Sequence, residues 1–365
     1  FNTEVTLDIN SFQVSYGIFL ISYEYFVLQY DSDLNEILKI YTYGERSPNP
    51  GDAIICSETD TYVADKTSGL VKVWGGGFES KIILPNGPTT TSIFSLSSEG
   101  NSVWLAPGGY TQTWSKLYIS GMASIFKDGF WNTINQWNLP VFDSITDVVA
   151  IALDPANPSR AIIGAFRNQV GAVEMFNTDF FDAYHVDNSE LQVWEAASSI
   201  AITGISFDQA GNVWFANSGA ENAVSYMNPA REWGSYYLGS SGSGVDIRTL
   251  IASSLGQKWL VLRKKVPDQS NNIIVFNETN EAGNQVAILN GSSGSGAIPG
   301  SNVFSIAEDK QGEIWLGTDE GVVVFYNPSD LFTNSPSDAE RILVNFDGYV
   351  QYLLETETVT AIAVD

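Results

Sequence analysis

Val303 to Pro328 reads VFSIAEDKQGEIWLGTDEGVVVFYNP, and three strands follow one another within it. Ser305-Ile306-Ala307-Glu308 alternates between apolar and polar positions. Asp309-Lys310-Gln311-Gly312 is a hairpin turn, because Asp opens turns and Gly supplies positive φ. Ile314-Trp315-Leu316 is a second strand, Thr318-Asp319-Glu320-Gly321 turns again, and Val322 to Tyr326 is a third. No helical period is present. One such copy is an ordinary antiparallel meander. A second copy changes the reading. Ile202 to Pro229 reads ITGISFDQAGNVWFANSGAENAVSYMNP, where Asp208, Gly211, Trp214, Tyr226 and Pro229 recur as Asp309, Gly312, Trp315, Tyr326 and Pro328. A shared Asp-Gly-Trp register marks a repeat fold.

Weaker copies extend the pattern along the chain. Residues equivalent to Asp309 are Cys56, Ser98, Asp154, Asp208, Ser253 and Asp365, and successive gaps are 42, 56, 54, 45, 56 and 56 residues. Four strands with their turns occupy roughly 40–45 residues per propeller blade, and longer loops fill the wider gaps. The expectation is therefore an all-β chain, a seven-bladed β-propeller of four-stranded antiparallel blades, with residues 1–365 forming a single propeller domain. Two readings of the ends stay open. In one, the N-terminal segment supplies the remaining strands of the blade that Thr358 to Asp365 begins, which closes the ring and removes its open edge. In the other, Glu4 to Asn10 is the inner strand of its own blade.

Composition excludes several function classes. The chain has 365 residues and a formal net charge of −25, from 42 acidic and 17 basic side chains. Generic nucleic-acid binding needs a cationic face, so no nucleic-acid partner is expected. A single cysteine, Cys56, and a single histidine, His185, leave no intrachain disulfide and no Cys/His metal cluster. Cys56, in an apolar strand, reads as a small buried hydrophobe. No apolar run reaches the roughly 18 residues of a membrane span. The start, Phe1-Asn2-Thr3-Glu4, has no signal-peptide pattern and reads as a mature or trimmed end.

The pattern Asp-x-x-Gly-x-x-Trp-x-Gly-Thr-x-x-Gly at Asp309 to Gly321 resembles the regulator-propeller repeat of Bacteroidetes surface and sensor proteins. A narrower resemblance lies in Tyr62 to Leu70 (YVADKTSGL), in Trp104-Leu105-Ala106-Pro107-Gly108-Gly109-Tyr110 and in Phe126-Lys127-Asp128-Gly129-Phe130-Trp131. In this order they are similar to PorZ-like proteins of the type IX secretion system. That family carries two propellers and a C-terminal domain, and belongs to the surface complex that attaches cargo to anionic lipopolysaccharide. The resemblance implies one propeller of a larger two-propeller protein. It implies a non-enzymatic scaffold at the outer face of the outer membrane or in the periplasm, with other secretion-complex proteins and anionic lipopolysaccharide or another surface glycan as partners.

Trp104, Trp214, Trp259 and Trp315 sit mid-strand at one repeat position, which favours packing between blades over sugar stacking. Asp154, Asp208 and Asp309 fit turn chemistry better than calcium, since no Asp/Asn loop of EF-hand spacing is present. His185 has no Gly-x-Ser-x-Gly elbow beside it, so no catalytic residue, metal or cofactor is expected. Paired carboxylates for glycoside chemistry arise by chance among 42 acids. The remaining oddity is Arg263-Lys264-Lys265, three of the 17 basic residues in one loop. Arg167 and Lys66 occupy equivalent loops. The five are the candidate ligand-binding set for an anionic group, against the plainer reading of a solvated turn. Two other classes remain. A ligand-sensing propeller of a hybrid two-component regulator requires a transmembrane helix beyond Asp365. A propeller glycosidase or lyase requires a cluster of His, Tyr and acids, which one His disfavours.

Overall fold

The computed structural model describes residues 8–57, 59–194, 197–263, 273–333 and 335–364. It divides into two compact units, Phe1–Gly87 and Pro88–Asp365. Among the described residues, the helical segments are three 3-10 turns, Gly75–Gly77, Pro140–Ser144 and Pro328–Phe332, and every longer element is a strand.

The first unit holds two four-stranded antiparallel sheets with neighbouring strands consecutive in sequence. Sheet 1 comprises Ile9–Ser15, Ile18–Tyr23, Val27–Tyr30 and Glu36–Ile40; sheet 2 comprises Pro50–Ile55, Thr61–Asp65, Gly69–Trp74 and Glu79–Ile83. Phe19 pairs with Tyr30 across sheet 1, as Trp214 pairs with Tyr226 in the stronger repeat. Leu20, Val27 and Ile40 pack with Ala53, Ile55, Val63 and Val71 to form the core between the two sheets. Each Leu, Val or Ile among them contributes about 1.5–3 kcal/mol on burial.

The second unit repeats the plan five times. Its sheets 3 to 7 begin with the strands Ser95–Glu99, Val148–Asp154, Ile202–Phe207, Ile247–Ala252 and Val303–Glu308. Two hairpins, Val193–Trp194 with Ser199–Ile200 and Leu343–Phe346 with Tyr349–Tyr352, stand outside the four-stranded sheets. The apolar clusters lie between consecutive sheets. Trp104 of sheet 3 packs with Ile151 and Leu153 of sheet 4. Trp214 of sheet 5 packs with Leu250 and Leu260 of sheet 6, and Trp259 of sheet 6 with Leu316 and Val323 of sheet 7. The repeated tryptophan thus faces forward onto the next sheet. Sheet 4 places Ile162 there, in the cluster it shares with sheet 5. Trp315 holds the position in sheet 7, ahead of the 343–352 hairpin, and is half-buried.

The Asp-Gly-Trp register has a local cause. Asp309 Oδ1 accepts from the backbone N–H groups of Gln311 and Glu313, and Oδ2 accepts from the Trp315 indole Nε1 at 2.9 Å. Asp208 repeats this with Ala210, Asn212 and Trp214, the last at 2.8 Å. Gly312 and Gly211 close the turns at φ of +83° and +81°. Sheet 6 has Ser253 in place of Asp, and Gln257 Oε1 takes over as the acceptor for Trp259 Nε1 at 3.0 Å. In sheets 5 and 7 one Asp side chain both orders the turn and accepts from the indole.

First strands of neighbouring sheets are tied by side chains. Ser95 Oγ donates to Val149 O at 2.8 Å, Ala252 N to Ser206 Oγ at 3.0 Å, and, in the first unit, Ser15 Oγ to Ile55 O at 2.9 Å. A Cβ on Gly204 would lie 2.4 Å from Leu250 N, so only glycine permits that approach.

Of the two readings of the ends, the structure follows the second in outline: the N-terminal segment makes all four strands of its own sheet 1, whose first strand is Ile9–Ser15. The described residues from 358 to 364 are not a strand. They hold the place of a next first strand nonetheless, since Ser305 Oγ donates to Val359 O at 3.0 Å with the same 54-residue offset as Ser95 to Val149. Glu4 to Val5 and Thr6 to Leu7, assigned above to a strand, lie outside the described residues. Cys56 is exposed rather than buried. The strand ends at Ile55, and with Ala53 and Ile55 turned inward, strand alternation turns Ile54 and Cys56 outward.

Candidate functional site

The first strands carry a feature opposite their turns. Pairing slips by one residue at Val149, Thr203, Arg248 and Phe304 in sheets 4, 5, 6 and 7. Each lies five residues before the turn position (Asp154, Asp208, Ser253 and Asp309). A β-bulge leaves one residue unpaired and re-aims its side chain. Three of these bulge positions hold Val, Thr and Phe; the fourth holds an arginine.

Residues 107–118, between the second and third strands of sheet 3, fold over this end. Gly108 N donates to Val148 O at 2.9 Å, and a Cβ there would fall 2.2 Å from that oxygen. Tyr110 bridges to Lys116, and Thr111 and Ser115 close the tip, with Trp114 at a left-handed φ of 64°. Tyr110 packs 4.0 Å from Trp114 and 5.0 Å from Phe166, centroid to centroid. Trp114, Val149, Phe166 and Ala201 make a small apolar cluster beneath the loop.

A cavity of about 450 Å³ opens beside this loop, lined by Tyr110, Trp114, Arg248, Arg263, Asn302 and Phe304 among others. Arg263 and Arg248 behave differently within it. Arg263 donates to Asp246 Oδ2 at 2.9 Å and to Gln112 O at 2.6 Å, with its guanidinium 5.3 Å from the Trp114 ring. It is a clamp on the loop. Arg248 stacks 5.1 Å over Phe304. Among the described residues its guanidinium has no carboxylate partner, and its buried Nε has no acceptor. The Trp114 indole Nε1 is likewise buried, and has no acceptor among the described residues. Burial holds the Arg248 guanidinium below the usual arginine range, Tyr110 opposing and Arg263 adding to the shift. Burial pushes the Tyr110 hydroxyl up to about 12, against the pull of Arg248 and Arg263.

The sequence-derived set is partly brought together. Arg167 and Arg263 both hold the loop, Arg167 through Trp114 O at 3.5 Å, and the Arg167 guanidinium also stacks 4.5 Å from Trp194 of the neighbouring hairpin. Arg263 is therefore not the solvated cation expected of a turn, because Asp246 and Gln112 hold it. Lys264 and Lys265 lie outside the described residues. Lys66 is exposed and belongs to the first unit. Arg248, Tyr110 and Trp114 were missed as site residues. The available signal was an arginine where the equivalent strands have Val149, Thr203 and Phe304.

Other candidates resolve as structure. His185 is a surface residue, its Nδ1 3.7 Å from Asp187 Oδ2. Buried Glu174 accepts from Arg160 Nε at 2.7 Å, Arg231 NH2 at 2.9 Å and the Tyr184 hydroxyl, and so ties the outer strands of sheet 4 to sheet 5. Among the described residues no group of three His, Cys, Asp or Glu side chains is placed to hold a metal.

Comparison with known proteins places this geometry. The family described as Two component regulator propeller matches residues 297–320. No curated protein matches the chain in sequence. PorZ, described as an essential bacterial surface component of the type-IX secretion system of Porphyromonas gingivalis, superposes with a TM-score of 0.70 at 17% identity over 97% of this chain. The chain spans about half of that structure, 48% of its length. The extracellular domain of a hybrid two-component system from B. thetaiotaomicron gives a TM-score of 0.46 at 15% identity, over 95% of this chain and 41% of its own. The chain is an all-β propeller of four-stranded antiparallel sheets, similar to PorZ-like propellers and carrying a regulator-propeller repeat.

Proposed function

We propose that the chain is a non-enzymatic binding propeller of an exported surface assembly of the type IX secretion kind. In this reading it is a single seven-bladed domain within a larger two-propeller protein. It sits at the outer face of the outer membrane or in the periplasm, and docks other secretion-complex proteins. The observation that carries the reading is the likeness to PorZ across 97% of the chain. Among the described residues no helix is long and apolar enough to cross a membrane. The contact with anionic lipopolysaccharide or a related surface glycan falls to the basic set Arg263, Lys264, Lys265, Arg167 and Lys66. Basic groups on a protein of charge −25 attract anions against a repulsive background.

The test has two arms. Deleting the gene in its native cell should leave cargo unattached, and the wild-type gene should restore attachment. Anionic lipopolysaccharide should bind the purified protein and lose affinity in the Lys264→Ala/Lys265→Ala variant, which leaves the Arg263 clamp on the loop in place, and at high salt, since salt screens charge–charge attraction over about 8–10 Å. Normal cargo attachment after deletion contradicts the secretion role. The regulator-propeller match at residues 297–320 favours a second reading, the sensing domain of a two-component regulator. Loss of a glycan-dependent transcriptional response, with secretion intact, selects it.

A further inference from the structure

We infer that the cavity beneath the 107–118 loop is a binding site for one compact oxyanion, a carboxylate or phosphate carried on a sugar-sized ring, with Arg248 as its charge contact. Four observations converge on this. The cavity, about 450 Å³, falls within the roughly 300–1,000 Å³ of small-molecule sites. Its walls are aromatic at Tyr110, Trp114 and Phe304, which gives a ring flat surfaces to lie on. Arg248 reaches it from a β-bulge, and among the described residues no acidic side chain answers its charge. A guanidinium held among aromatic rings without an anion is the arrangement an incoming oxyanion completes with paired N–H···O bonds. Trp114, which lines the same cavity, carries a second buried donor, Nε1, without an acceptor among the described residues.

The residues around Arg248 are arranged to leave it available. Arg263, the other cation in the cavity, is bound to Asp246 and to Gln112 O, so it holds the loop in place and lends field without needing to move. Asn302 is braced by Asp319, which accepts from its backbone N–H at 3.1 Å and its side-chain amide at 3.3 Å. One available guanidinium in a concave site selects for a single charged group, and the charge of −25 on the whole chain opposes a long polyanion. Val149 and Thr203 hold the equivalent positions in sheets 4 and 5, so the charge is a departure within the repeat and not a property of it. The inference stands on this cavity alone and holds equally for a scaffold or a sensor.

Isothermal titration of the full chain with D-glucuronate, glucose 6-phosphate and neutral glucose tests it, with Trp fluorescence as a second readout. At least one of the two acids should bind, and glucose should bind at least about tenfold more weakly, as expected for loss of a charged hydrogen bond. Arg248→Met should lose at least about tenfold in affinity for the acid while keeping the wild-type circular dichroism spectrum, and Arg248→Lys should recover part of it. Unchanged affinity in Arg248→Met, equal binding of glucose, or no binding of either acid at millimolar concentration overturns the site. Competition between the bound acid and anionic lipopolysaccharide identifies a polysaccharide terminus as the source. Binding of the acid without competition identifies a free small molecule, and both results support the site. Should lipopolysaccharide bind while the acids do not, the surface-binding reading survives and this inference falls.

Discussion

The two ends of the first strands in the second unit follow opposite rules. At the turn end, donors meet acceptors: Asp208 and Asp309 each accept from two backbone amides and an indole. At the bulge end, Arg248 Nε and Trp114 Nε1 are buried and have no acceptor among the described residues. Buried polar groups are ordinarily satisfied, and an orphan costs about 1–3 kcal/mol. The turn end is therefore where the fold gains stability, and the bulge end is where it gives some up. Removing side chains from the two ends should have effects of different kind.

The largest effect belongs to the forward-facing tryptophan. Trp214→Ala should destabilise by about 3–5 kcal/mol in urea unfolding, because the ring is buried against sheet 6 and beneath Lys258 Nζ at 3.9 Å. Trp315→Ala, half-buried, should cost clearly less. Equal costs would show that position in the repeat, and not burial, sets the value.

Gly108→Ala should come next, at about 1–3 kcal/mol, since the new methyl meets the Val148 backbone and lifts the 107–118 loop. Its signature is a raised Trp114 exposure by fluorescence quenching with the strand spectrum intact. Wild-type quenching would mean that the loop is not held at Gly108.

Asp309→Ala should cost about 1–2 kcal/mol, the loss of a turn acceptor and of the indole bond. The pH dependence carries a sign. Burial alone would raise the Asp309 carboxyl, but hydrogen bonds from Trp315, Glu313 and Gln311 prevail and hold it below its ordinary value. A depressed folded value contributes stability that is fully present above the unfolded value, about 3.9, and is lost as pH falls through the folded one. Wild type should therefore lose more stability than Asp309→Asn on acidification below about pH 4. Parallel acid profiles would remove Asp309 from the account.

This contrast also explains what was legible in the sequence. The Asp-Gly-Trp register was readable because its chemistry is local: donor, acceptor and glycine lie within one hairpin, and the same solution recurs. Of the basic set, Arg167 and Arg263 both contact residues 112–114. The Arg263 contact was not readable from the sequence, because its partner Gln112 is 151 residues away and no spacing rule reports it. Arg248 escaped because a bulge shifts register by one residue, and the alternation of a strand does not reveal which residue is left unpaired. Cys56 was misplaced for a related reason, the strand ending one residue earlier than its apolar run. The N-terminal sheet differed because Ile9–Ser15 alternates weakly and, with Ile9, Phe12 and Val14 all exposed, carries no inward stripe to read.

The central claim is that Arg248 is kept at a cost to the fold. Urea unfolding of Arg248→Met beside wild type tests it most directly. The substitution removes a half-buried charge with no partner among the described residues and keeps an apolar stem against Phe304, so stability should stay within about 1 kcal/mol of wild type or rise. A loss of more than about 2 kcal/mol, on the scale of a broken buried interaction, would make Arg248 a structural residue and contradict the account.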